Sequence, residues 1–161
     1  MNIIEYNKCV ESYADGAYRF VLKNIGDEEK AKDIIQDSFE KMWVKHKEVV
    51  FEKSKSYLYT TAYHTMIDYI RKDKKFSLMD DSYYNKITCE NSFNDLKEVI
   101  DEALKTLPDI QRSLILLRDY EGYPYDEIGK ITGLNESQVK VYIFRARTTL
   151  KNYIGTLENV I

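Results

Sequence analysis

The stretch Tyr125-Asp-Glu-Ile-Gly-Lys-Ile-Thr-Gly-Leu-Asn-Glu-Ser-Gln-Val-Lys-Val-Tyr-Ile-Phe-Arg-Ala-Arg147 decides how the rest of the chain is read. It predicts two helices joined by a tight corner. Ile128 and Ile131 give the first helix an apolar side, and Gly129 admits a close helix neighbour. Gly133 is the natural stop, because glycine takes the left-handed conformation at a helix end without a Cβ penalty. Asn135 or Ser137 can cap the second helix by accepting its first backbone N–H groups. In that helix Val139, Ile143, Ala146 and Leu150 recur at helical spacing and form one buried stripe.

The opposite side of the second helix carries Lys140, Val141, Phe144, Arg145, Thr148 and Lys151. Cations pair with phosphates or guanine edges, and exposed apolar groups meet thymine methyls in the major groove. This is the pattern of a helix-turn-helix whose second helix enters DNA. An ordinary helical hairpin with a solvated basic face has the same outline. The coincidence of corner, caps and cationic face favours DNA.

At 161 residues the chain holds one domain or two small ones. A hydrophobic fraction of 43% supports a real core, and two prolines and six glycines argue against disorder. A net charge of −3 is not that of a wholesale polyanion binder, so any DNA contact must come from local patches. Two exist: Arg71, Lys72, Lys74 and Lys75 around Asp73, and Lys140, Arg145, Arg147 and Lys151 near the C-terminus. Cys9 and Cys89 are isolated, and His46 and His64 stand apart from them, which argues against a disulfide framework or zinc site. The start MNIIEYNKCVESY lacks the basic and apolar regions of a signal peptide. No segment approaches membrane-spanning length. The expectation is a cytoplasmic protein with no direct membrane insertion, no metal and no cofactor.

Taken in order, residues 2–24 read as an amphipathic helix with Tyr13, Ala17, Phe20 and Val21 inward, ended by Gly26. Asp27, Glu28 and Glu29 favour a new helix start through the macrodipole. That second helix, to about Val44, turns Ala31, Ile34, Ile35, Ser38, Phe39, Met42 and Trp43 inward. Asp33, Gln36, Asp37 and Glu40 fall on its other side as an acidic and amide stripe. Spacing alone favours plain solvation of that stripe over docking onto a basic partner helix. Residues 45–56 form a lysine-rich connection around Val49, Val50 and Phe51. A third helix over 56–72 repeats Leu58, Ala62, Met66 and Tyr69 or Ile70, with Tyr57, Tyr59, Tyr63 and His64 crowding its first half. Aromatics beside cations suit single-stranded nucleic acid, since every base offers a face for stacking. With fourteen tyrosines in the chain, some must simply be core or surface, and the two readings stand level.

Residues 76–95 lose periodicity and read as a polar, acidic linker. The pattern resumes with Leu96, Val99, Ile100, Ala103, Leu104 and Leu107, after which Pro108 breaks the run and starts a helix bearing Ile110, Leu114 and Leu117. Tyr120–Pro124 turns into the two-helix unit. The fold class is therefore all-α: two small helical domains, 1–75 and 96–161, joined by a linker at 76–95, the second domain containing the helix-turn-helix. No nucleophile elbow, Walker loop, H-E-x-x-H or glycine-rich phosphate cradle is present. Asp33 and Asp37 have no nucleophile or metal partner beside them, so the chain is not expected to be an enzyme.

With these motifs in place, Gly26 through Trp43 resembles region two of the sigma-70-type RNA polymerase sigma factors, whose D-x-x-Q-[DE]-x-F pattern is met by Asp33, Gln36, Asp37 and Phe39. Tyr57 through Arg71 resembles the following promoter-melting segment, and Leu107 through Arg147 resembles region four. Two matches in family order, with a linker and no third region between them, are similar to the extracytoplasmic-function group. The resemblance implies roles that spacing does not. Asp33, Gln36, Asp37 and Glu40 would bind the β′ clamp helices of core RNA polymerase, and region four would meet the β flap. The loop before the third helix, with Phe51 and Tyr57, and His64, Arg71, Lys72, Lys74 and Lys75 would engage the −10 element and a flipped base. Lys140, Val141, Phe144 and Arg145 would read the −35 element, with Gln138 and Arg147 among its contacts. An anti-sigma factor is the group's usual further partner.

The chain departs from the family at several points. Tyr57 stands where tryptophan is usual, Tyr63-His64 where Arg-Asn is usual, and Val139-Lys-Val-Tyr142 where V-K-S-R is frequent. A serine and an arginine have become apolar and aromatic, so different bases are expected to be read. Gly129 replaces the usual alanine and is expected to weaken its helix. The implied function is promoter-directed initiation without covalent chemistry. A conventional dimeric operator-binding regulator is the alternative, and it would not need the acidic stripe.

Overall fold

An amphipathic first segment with an Asn2–Glu5 start forms α1, Ile3–Ile25. Asn2 Oδ1 accepts from the Glu5 N–H at 2.8 Å while Glu5 Oε2 accepts from the Asn2 N–H at 3.0 Å, a reciprocal capping box. Gly26 ends it at φ 70°, where any side chain would be strained. Asp27 caps α2, Glu28–Val44. A short 3₁₀ turn, Phe51–Lys53, leads into α3, Ser54–Ser77. The computed structural model describes the backbone of residues 1–77 and 96–160 and the side chains of 1–75 and 96–156. The linker expected at 76–95 lies almost wholly outside these residues, apart from the last turn of α3.

The second unit opens with α4, Leu96–Lys105. Pro108 then acts as N-cap of α5, Asp109–Ile115, which loosens without a break into a π-helical turn, Leu116–Tyr120. After Gly122, at φ 75°, come α6, Tyr125–Thr132, and α7, Glu136–Val160. The corner between them is as expected: Gly133 is left-handed at φ 81°. Asn135, rather than Ser137, caps α7, accepting from the Gln138 N–H at 2.8 Å.

In the first unit α1, α2 and α3 pack together around Ala17, Phe20, Val21, Ala31, Ile34, Met42, Leu58 and Met66. In the second, α7 seals α5, α6 and α4 with Val139, Ile143 and Ala146, all at most 1% exposed. The two units are not separate beads. Helix α3 also packs on α6, and α1 on α4 and α5, so a single apolar cluster runs through both.

Three expectations change. Trp43 is not a core residue: it is 42% exposed and stacks on His46 with ring centres 4.1 Å apart. Tyr59 and Tyr63 are core, at 1% and 5% exposed, so neither can stack on a base. Finally, Gly129 makes room for backbone rather than for another helix: a Cβ there would lie 2.8 Å from the Leu134 carbonyl oxygen of the corner.

Candidate functional site

Helix α2 buries Ile34, Ile35, Ser38 and Met42 against its neighbours, which forces Asp33, Gln36, Asp37 and Glu40 together onto the solvent side. Ser38 is tolerated in the core because its hydroxyl donates to the Ile34 carbonyl at 2.6 Å. None of the four stripe side chains makes a hydrogen bond or ion pair among the described residues. Asp33 and Asp37 are one turn apart, and like charges at that spacing disfavour a helix by about 0.2–0.5 kcal/mol. The face therefore carries concentrated negative charge that the described part of the chain does not neutralise.

Along α3, Tyr57, His64, Arg71 and Lys75 recur at seven, seven and four residues and so share one outward face. Tyr57 is half-buried at its start and His64 is exposed, its ring edge-on to Tyr63 at 5.4 Å. Phe51 sits half-buried in the 3₁₀ turn just before the helix. Lys72 is exposed nearby, whereas Lys74 reaches the second unit and pairs with Asp109 at 3.2 Å.

On α7 the buried stripe leaves Lys140, Val141, Phe144 and Arg145 outside, with Val141 45% and Phe144 71% exposed. Val141 and Phe144 thus leave an apolar patch exposed beside the cations. Lys140 pairs with Glu136 one turn back at 3.3 Å, an exposed pair that a phosphate can outcompete. Gln138 and Arg147 have other engagements. Gln138 Oε1 accepts from the Asn135 N–H at 3.1 Å and completes the capping box of α7. Arg147 grips Asp119, Nη2 donating to Oδ1 at 2.6 Å and Nε to Oδ2 at 3.3 Å, and this bond pushes its guanidinium still further up from the ordinary value.

Two residues that spacing did not single out adjoin this face. The Arg118 guanidinium lies over the Tyr125 ring at 4.4 Å and donates to the Tyr123 carbonyl at 3.0 Å, while Lys140 Nζ lies 5.7 Å from the same ring. Tyr125 is thus a platform for two cations beside the exposed face of α7. The available signal was Arg118 itself, a cation directly following the apolar run Leu114–Leu117.

An exposed acidic stripe on a three-helix unit, followed by a helix-turn-helix unit, has counterparts among known proteins. Residues 9–76 match the model of sigma-70 region 2 and residues 97–150 that of sigma-70, region 4. The chain belongs to the sigma-70 family of RNA polymerase sigma factors, in its extracytoplasmic-function group. It is 31% identical over 145 residues to RNA polymerase sigma factor SigV of Bacillus subtilis, covering 86% of this chain and 84% of that one. It is 29% identical over 150 residues to the ECF sigma factor SigM of the same organism, covering 90% and 92%. Its fold is also that of the sigma factor RpoE solved in complex with the anti-sigma factor NepR from Bartonella quintana, with TM-score 0.80, 21% identity and coverage of 95% and 98%. Among the described residues no helix is long and apolar enough to cross a membrane.

Proposed function

We propose that this chain binds core RNA polymerase and directs it to a subset of promoters, acting in the cytoplasm and performing no covalent chemistry itself. The stripe Asp33, Gln36, Asp37 and Glu40 docks on the β′ clamp helices. The outward face of α3, with Phe51, Tyr57, His64, Arg71, Lys72 and Lys75, engages the −10 element. Lys140, Val141, Phe144 and Arg145 on α7 read the −35 element, with Arg118 and Tyr125 at the edge of that contact. Region four meets the β flap, and an anti-sigma factor is the expected antagonist.

The observation that carries the reading is the stripe: concentrated negative charge, exposed, and unneutralised within the described residues. A dimeric operator-binding regulator has no use for it. The test is transcription by purified core polymerase on fragmented genomic DNA, with and without this protein. Discrete new transcripts should appear, vanish with Asp37→Lys together with co-elution on core, and be lost or redirected with Arg145→Ala while core binding persists. Full core binding by Asp37→Lys would remove the stripe from the mechanism. No binding of the wild-type chain to core would overturn the reading itself.

A further inference from the structure

The face that α7 leaves outside is apolar along its middle and cationic along its edges. Val141, Phe144 and Thr148 are three and four residues apart and so lie in one row. Lys140 and Lys151 flank that row on one side, and Arg145 flanks it on the other. Val141 is 45% and Phe144 71% exposed. Thr148 adds a methyl to the row, because its hydroxyl donates to the Phe144 carbonyl at 3.0 Å and so turns back into the helix. A cavity of about 510 Å³ lies against this face, lined in part by Tyr125, Lys140, Val141, Phe144 and Arg145.

The side chains able to read bases by hydrogen bonds are largely committed elsewhere. Gln138 Oε1 accepts from the Asn135 N–H, which removes half of the bidentate pair that an adenine edge requires. Arg147 is held by Asp119, and Lys140 by Glu136. Arg145 makes no ion pair among the described residues, and its guanidinium lies 6.0 Å from the centre of the Tyr142 ring. The edges of the face thus suit phosphates, and its middle suits a carbon surface. In the major groove the thymine C5 methyl is such a surface. The other base edges offer donors and acceptors that a valine or a phenyl ring would leave unpaired.

We propose that Val141 and Phe144 read the −35 element through its thymine methyls, so that this factor selects neighbouring thymines where a polar recognition helix selects donor and acceptor patterns. The proposal rests on the sigma reading above and names what that helix recognises. The flanking cations meet phosphates or guanine edges at the margins of the site and set its register. Each methyl covered by the row contributes about fourfold in affinity, the yield of taking one carbon group out of water.

The experiment uses holoenzyme reconstituted from core polymerase and the full chain, on a promoter recovered by the transcription assay above. Each thymine of the −35 element is replaced in turn by deoxyuridine, which removes the methyl and keeps both the pairing and the O4 acceptor. At least two neighbouring replacements should each weaken promoter binding about fourfold. Val141→Ser should lose the response at one of them and Phe144→Ala at the other, while both variants still co-elute with core polymerase. Both positions are exposed, so neither change leaves a cavity in the fold. An element without thymines, an unchanged affinity on uracil DNA, or variants that respond to uracil as the wild type does would overturn the methyl readout. Variants that fail to bind core polymerase would overturn it too, by making the row a protein contact. Failure of the wild type to bind core polymerase strikes the sigma reading instead. Selection of duplexes from a random pool by the free chain then decides the methyl readout, through the same uracil comparison.

Discussion

Gly129 shows how one position can reverse a sequence-based expectation. On helix propensity alone alanine should gain about 1 kcal/mol there. Yet the added Cβ would meet the Leu134 carbonyl oxygen at 2.8 Å, and that atom belongs to the corner backbone, which cannot swing aside as a side chain would. Overpacking of this kind costs about 1–3 kcal/mol. Gly129→Ala should therefore lower the melting temperature by about 2–4 °C, and an increase on calorimetry would show that the corner yields. The sequence marked this glycine as unusual for its family but gave the wrong reason, because the obstacle is a backbone oxygen five residues ahead. Arg112 was invisible for a similar reason. It looks like a surface cation, but the fold uses it to gather the carbonyls of Leu104, Lys105 and Leu107 at the end of α4, at 2.8, 3.3 and 2.6 Å.

At the scale of elements, stripes facing one partner were legible and elements facing two were not. The cores of α2 and α7 follow the sequence pattern closely, Trp43 aside, because each buries one face. Helix α3 is pressed by α1 and α2 on one side and by α6 on another. A period of 3.6 identifies only the first of those faces, so for Tyr59 and Tyr63 core burial and stacking on a base stood level in the sequence, and the fold decides for the core. The π-helical turn at Leu116–Tyr120 has no composition signature and could not be read. Burial of these rings predicts an alkaline limit to stability. Burial, with Glu121 adding to it, drives the Tyr59 hydroxyl well above its ordinary value of 10.0. Burial likewise raises Tyr63, and pushes Tyr123 up to about 12. The fold thus binds the phenolic protons more tightly than the unfolded chain does. Their contribution is complete below about pH 10 and is lost as pH rises from there through the folded values. Urea midpoints should be flat from pH 8 to about 9.5 and then fall steeply, less so in Tyr59→Phe; an equal slope in that variant would discount Tyr59. The α7 cap makes a second prediction at this scale. Asn135→Ala removes the acceptor for the Gln138 N–H and should cost about 1 kcal/mol, seen as a lower urea midpoint. Gln138→Ala should cost less, since only its half of the box is lost. Equal costs would contradict that ordering of the two halves.

For the whole molecule, two units were legible as two periodic regions separated by an aperiodic one, but their packing together was not. Nothing in either half announces that Asn24 will be satisfied by Ser113 and Arg112, because each residue is an ordinary polar position in its own helix. The consequence is thermodynamic coupling. Phe20 packs on Tyr59 at 5.6 Å, and Tyr59 in turn packs on Tyr123. Separating the units therefore exposes aromatic surface and frees buried polar groups on both sides. The full chain should unfold in one cooperative transition, with matching midpoints for tryptophan fluorescence, which reports on Trp43 in the first unit, and helical circular dichroism, which reports on both. Glu121→Ala weakens the seam by removing the acceptor of the Tyr59 hydroxyl, so it should pull those two midpoints apart. Coincident midpoints in that variant would mean that the seam contributes little to cooperativity. Separate midpoints already in the wild type would mean that the units fold independently and that their contact is weak in solution.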